Sequence, residues 1–236
     1  MNELTIKLAG IPIGISTGNA LMPKLCRAYL TDEPPLFSVS TTGQAVTAEL
    51  ARATEPTTYE YAEALCLYRE MAERLPLYGR AVFHGAAIEY GGRAYLFTAP
   101  SGVGKSTHIA LWRKYLGSAV NIINGDKPVL IKDADGITVC GSPYAGKEGW
   151  QRNVSFPLAG VCFLSRGEES RIRPADGDAS LRLLSQIYRP YGKDAMAKTV
   201  DIVNALARVP CYALACDISM QAVRVAFEAM TGRAWL

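Results

Sequence analysis

The stretch that most limits what this chain can become is Ala99-Pro100-Ser101-Gly102-Val103-Gly104-Lys105-Ser106-Thr107, set between a short apolar run, Arg93 to Thr98, and a helical run, His108 to Leu116. It reads as a P-loop: backbone N–H groups turned inward around a phosphate, a lysine for the outer phosphates and a hydroxyl for Mg²⁺. Gly102 and Gly104 lack Cβ, so the backbone there can adopt positive φ and approach an anion closely. Lys105 and Ser106 open a helix whose positive dipole end faces the same anion. Ala99 stands where the strict pattern has glycine, and Gly117 ends the helix.

The flanking pattern bears on the fold. Ala86 to Tyr90 and Arg93 to Thr98 surround Gly91-Gly92, a two-residue hairpin signal. After the loop helix come short strands at 119–123, 128–132 and 137–140. Parallel crossovers need covering helices, and here only one helix interrupts five strands. The expectation is therefore an α/β chain with an α+β tendency, built on a mixed or largely antiparallel sheet with helices packed around it. Further on, 158–164 and 211–216 read as strands, and 179–188, 195–207 and 219–230 as helices.

Residues 1–80 form a separate stretch of strands and helices that can pack on the same core as residues 81–236. Leu4, Ile6 and Leu8 alternate, Gly10 and Pro12 make a break, and Ile13 and Ile15 resume. Asn19 is placed to cap a short helix carrying Leu21, Leu25 and Tyr29. Thr57 with Glu60 forms a capping box for a helix whose core face is Tyr61, Leu65, Tyr68, Met71 and Leu75.

The net charge of +3 does not point to nucleic acid or an anionic membrane as partner. No run approaches the roughly 18 apolar residues that span a bilayer, and the start lacks a signal-peptide pattern, so the cytoplasm is expected. The six cysteines are scattered with no CxxC pair, which reads as free thiols. A homo-oligomer is among the assemblies the sequence allows.

Phosphoryl transfer asks for a cradle, a metal site, positive charge and a carboxylate that orients or deprotonates the nucleophile. Asp126, at the tip of an apolar strand, is the carboxylate candidate, for Mg²⁺ or as base. His84 precedes the hairpin that leads into the loop; alone, such a histidine is more often structural. His108 reads as a surface residue of the helix. The glycine-rich segment 141–150 offers Lys147 to neutralise a transferred phosphoryl group, with Arg152 as an alternative.

Together, His84-Gly85, the Ser101 to Ser106 loop and Asp126 resemble the catalytic domain of HPr kinase/phosphorylase and related HPr-kinase-like proteins, similar in fold to phosphoenolpyruvate carboxykinase. The resemblance runs from His84 to Leu164 and implies a PEP carboxykinase-like fold. It implies ATP bound with Mg²⁺ by Ser101, Gly102, Val103, Gly104, Lys105, Ser106 and Thr107, with Ser106 and Asp126 on the metal. It also implies transfer to a serine-type hydroxyl, assisted by His84 and with Asp126 as general base. The chain departs from the family in two ways: Gly125-Asp126-Lys127 keeps one aspartate where the family has two, and the arginine-containing signature of the phosphorylase direction is absent. The acceptor thus stays open among protein, peptide and small molecule. Two further readings compete: a nucleotide-binding regulatory protein without transfer, and a simple NTPase.

Overall fold

The computed structural model describes residues 2–175, 177–188, 190 and 192–235. At its amino end, β1 (Asn2–Leu8) and β2 (Ile11–Thr17) pair antiparallel about Ala9 and Gly10, both at positive φ, the geometry of a tight hairpin. Pro12 lies inside β2 rather than in a break. β3 (Phe37–Val39) joins β2 in parallel.

Alternation puts Ile6, Leu8, Ile13 and Ile15 on one face. That face is covered by α3 (Tyr59–Arg74) through Leu67, Tyr68 and Met71, with Leu75 just beyond. Val82, Val129, Cys140 and Tyr144, from beyond residue 80, belong to the same core.

Three local expectations are corrected here. The side chain that caps α3 is Thr58, whose Oγ1 accepts the N–H of Tyr61 at 3.2 Å; Thr57 instead donates to the Glu55 carbonyl. Tyr61, expected on the core face, is exposed. The short helix α1 (Leu21–Leu25) starts after Ala20, with Asn19 Oδ1 accepting from Leu21 N–H, and stops before Tyr29. A helix that the periodicity did not reveal, α2 (Gly43–Arg52), is capped by Thr42 and packs on α3 through Val46.

The larger sheet has the order β4 (Arg80–Val82), β8 (Val129–Lys132), β9 (Ile137–Cys140), β10 (Ser155–Arg166), β6 (Arg93–Thr98), β5 (Ala86–Tyr90) and β7 (Val120–Asn124). β12 (Cys211–Cys216) pairs parallel with β10 and antiparallel with β11 (Arg171–Pro174). β6 and β10 are parallel; the hairpins β5–β6 and β8–β9 are antiparallel. The sheet is therefore mixed, as the short strand spacing predicts, while β4 and β11 were not legible.

Helices cover both faces of its centre, which is why β6 and β10 are apolar almost without interruption. Ala94, Leu96, Val161 and Phe163 face a core with α5 (Ala179–Gln186) and α6 (Lys193–Leu206). Tyr95, Phe97, Cys162 and Leu164 face α4 (Lys105–Leu116) and α7 (Met220–Thr231). All six cysteines are free, four of them buried. Among the described residues, no helix is long and apolar enough to cross a membrane.

Candidate active site

β5 runs antiparallel to both β6 and β7, so β6, β7 and β10 point the same way. Their carboxyl ends deliver the glycine-rich loop, Asp126 and Arg166 to one edge of the sheet. A cleft of about 900 Å³ opens there, lined by Ser101, Gly102, Gly104, Lys105, Ser106 and Thr107 and faced by His84 and Asp126. Gly102 and Gly104 have φ of 77° and 123°, conformations that L side chains rarely adopt. The Val103 side chain packs toward the aromatic core under α4 rather than lining the cleft.

Lys105 is buried, and its Nζ donates to the Ala99 carbonyl at 2.9 Å. Burial holds its pKa below the ordinary lysine value, against the opposing pull of Asp126. An ammonium has three donors, and among the described residues only this one has a protein acceptor.

Asp126 is shaped by its neighbours in sequence. Asn124, fully buried at the end of β7, accepts the N–H groups of Asp126 and Lys127 on Oδ1 at 2.9 and 2.7 Å. Its amide donates to carbonyls of Ser142 and Tyr144, which ties this turn to the segment 141–150. The Asp126 carboxylate then has Lys127 Nζ on Oδ2 at 2.5 Å and His84 Nε2 at 3.7 Å from Oδ1.

His84 is fixed at its backbone and its ring. Its N–H donates to the Gln186 carbonyl at the end of α5, and Gly85 N–H donates to the Asp126 carbonyl at 2.9 Å. A Cβ on Gly85 would lie 2.9 Å from the Phe83 ring, so the close approach there requires glycine. The ring Nδ1 lies 3.3 Å from Gln186 Oε1, an acceptor shared with the Thr98 hydroxyl. With Nδ1–H donating there, Nε2 is left with its lone pair beside Asp126. Burial and the nearby Lys105 ammonium lower the His84 pKa, partly offset by Asp126.

The remaining predicted positions divide. Lys147 stands at the rim, 80% exposed along its side chain, with Nζ on Glu55 Oε2 at 2.6 Å. Arg152, the alternative, does not line the cleft; it belongs to a separate groove beside α4. His108, expected at the surface, is 2% exposed and packs tilted against Phe97 and edge-on to Trp112. Its Nε2 accepts Trp112 Nε1–H at 3.0 Å, and burial pushes its pKa down to about 4.

Several contributors carried no sequence signal. Gln186 and Thr98 orient His84 from positions distant in the chain. Glu55, Pro56, Thr57 and Tyr61 bring the amino-terminal region to the cleft. Arg166 donates from its guanidinium to the Gly102 carbonyl at 2.8 Å, holding the loop from outside. Only Lys127 could have been anticipated, since it adjoins Asp126.

No family model matches the chain, and no curated protein matches it. Among solved structures it has a distant likeness to the HPr(Ser) kinase/phosphatase from Coxiella burnetii, at 12% sequence identity and a TM-score of 0.36, covering 64% of this chain and 93% of that one. At that score the likeness is remote.

Proposed function

We propose that this protein is an ATP- and Mg²⁺-dependent kinase that transfers the γ-phosphate to a serine-type hydroxyl on a protein, peptide or small molecule. The observation that carries the reading is the convergence, at one sheet edge, of a positive-φ glycine loop, a buried lysine with unused donors and a histidine–aspartate pair.

The residues present fit the groups the reading requires. A desolvated ammonium with one carbonyl partner is suited to a polyphosphate, whose charge offsets its burial. Ser106 and Asp126 supply the hard oxygen donors that Mg²⁺ prefers, together with phosphate oxygens and water. Among the described residues no cluster of three or more His, Cys, Asp and Glu could hold a metal ion. When bound, Mg²⁺ neutralises charge on the phosphates and orients them.

The chain's own part is binding and proton handling. Lys105 and the amides of residues 101–107 hold the β and γ phosphates. The acceptor hydroxyl sits against Asp126 and His84, and gives up its proton there as its oxygen bonds to the γ-phosphorus and the bond to the β-γ bridging oxygen breaks. His84 is suited to receive that proton: its lowered pKa keeps Nε2 unprotonated at neutral pH, and the carboxylate beside it stabilises the imidazolium that forms. Lys127 and Lys147 add positive charge at the floor and rim.

Calorimetry with ATP and Mg²⁺ tests the binding half; saturable uptake that Lys105→Ala abolishes is expected, and no uptake by the unaltered protein would end the reading. One observation favours a second reading. The Lys127–Asp126 ion pair occupies the carboxylate that transfer would use, as suits a nucleotide-binding regulatory protein. Incubation with γ-labelled ATP and a peptide pool separates the two, because a regulator binds nucleotide and labels nothing.

A further inference from the structure

The cleft adjoins a second groove, of about 450 Å³, and the two share both walls. On α4, Ser106 and Thr107 line the cleft, and Ala110, on the next turn, lines the groove. On the facing segment, Gly146, Lys147 and Glu148 border the cleft, while Gly149 and Trp150 border the groove. Ile122 of the edge strand β7 completes it, with the exposed Arg113 and Arg152 alongside.

The two ends of this trough differ in chemistry. One presents the glycine loop, Lys105, His84 and Asp126; the other presents Ala110, Ile122 and the half-buried ring of Trp150. Trp150 is also set apart from the other tryptophans. Trp112 and Trp235 pack against further rings, whereas among the described residues Trp150 meets no other ring and its indole N–H has no acceptor. Its backbone is held to β7 all the same: Gly125 N–H donates to the Trp150 carbonyl at 2.9 Å and Arg152 N–H to the Ile123 carbonyl at 3.0 Å. A tryptophan anchored in this way along a groove is suited to stack a flat ring.

We infer that the groove receives the base and ribose of the nucleotide, with the base stacked on Trp150 beside Ala110 and Ile122. Ala110 lies about 6 Å along the helix axis from Ser106, so a ligand whose phosphates meet the first turn of α4 can lay its next groups there. The inference rests on the kinase reading for the phosphate tail and adds the residues that hold the other end. Every base has a π face, so a platform of this type gives affinity with little choice among bases.

Calorimetry with ATP and, separately, inorganic tripolyphosphate, each with Mg²⁺, tests this on the unaltered protein, Trp150→Ala, Trp150→Phe and Ala110→Leu. Tripolyphosphate supplies the charged tail without base or ribose, so the difference between the two ligands reads the groove. The unaltered protein is expected to bind ATP about tenfold or more tightly than tripolyphosphate. Trp150→Ala should remove most of that margin and leave tripolyphosphate binding unchanged, and Trp150→Phe, which keeps a ring, should restore part of it. Ala110→Leu fills the groove from the helix side and should act as Trp150→Ala does; it decides the matter if Trp150→Ala does not fold. The inference is overturned if ATP binds no better than tripolyphosphate, if Trp150→Ala, or in its stead Ala110→Leu, keeps the margin, or if both ligands weaken alike. In those cases tripolyphosphate uptake by the unaltered protein leaves the kinase reading standing. Uptake of neither ligand ends both.

Discussion

Helix α4 joins two regions built on opposite terms. Its first turn meets the cleft, where Lys105, His84, Asp126 and Lys127 crowd their charges together and His84 Nε2 has no donor. One turn later the same helix enters a dry aromatic core, where His108 is packed by Phe97 and Trp112 and its Nδ1 is equally unpartnered. Among the described residues both regions hold an imidazole nitrogen without a hydrogen bond, His84 Nε2 having only the Asp126 carboxylate 3.7 Å away, and both depress the pKa of that ring by burial. What separates them is access. In the cleft an incoming group can complete the unmatched atom, whereas in the core the packing of the ring outweighs one missing hydrogen bond.

The largest expected effect sharpens the cleft side of this contrast. Asp126→Asn removes the carboxylate that stabilises the imidazolium formed at His84; it should lower kcat by up to about 10²–10⁴-fold, the worth of an assisted proton transfer, and leave the nucleotide Kd within about threefold. Steady-state kinetics with an identified acceptor, beside calorimetry, checks both halves. Full activity would remove Asp126 from the reaction.

Next comes the core histidine. Its pKa is about 4 when folded against the ordinary histidine value of 6.5, so as pH falls through that window the unfolded chain takes up a proton that the native state refuses. Stability should accordingly rise with pH between 4 and 6.5, with about 3 kcal/mol attributable to this one group. Urea unfolding across that range should show the slope, and His108→Gln, which keeps an acceptor for Trp112, should flatten it. Activity near neutral pH should be little changed by the same variant, and a large loss of turnover would break the contrast.

A smaller effect is expected at the loop's outer support. Arg166→Ala removes the guanidinium that holds the Gly102 carbonyl, and should raise the nucleotide Kd about tenfold, with Arg166→Lys restoring part of it. Kd measured with ATP and with inorganic triphosphate should shift alike, because the residue acts on the loop.

Lys147→Ala should change kcat and KM by less than about threefold, since an exposed ion pair with Glu55 is weak. A loss of kcat above about tenfold would show that Lys147 leaves Glu55 for the phosphoryl group.

How much of this could be read in advance varies with the range of the interaction involved. The Gly91-Gly92 hairpin, the capped start of α7 at Ser219 and the strand–loop–helix at 93–116 depend on neighbours within a few residues, and they appear where the pattern places them. The α3 cap missed by one residue, because Thr57 and Thr58 are equally plausible until the backbone selects one. His108 was misjudged for a different reason: a polar residue in a helix looks exposed unless Phe97 and Phe227, from two other elements, are known to cover that face.

Turn chemistry and periodicity are local properties of the chain, and from them alone it follows that a glycine loop succeeds an apolar strand and opens a helix, and that the surrounding strands form a mixed sheet. The company the loop keeps is a matter of long-range packing. Gln186 behind His84, Arg166 behind Gly102 and Glu55 across from Lys147 are brought close by strand order and helix packing. Contacts between residues so far apart are set by the burial of the whole core, which no short stretch of sequence encodes.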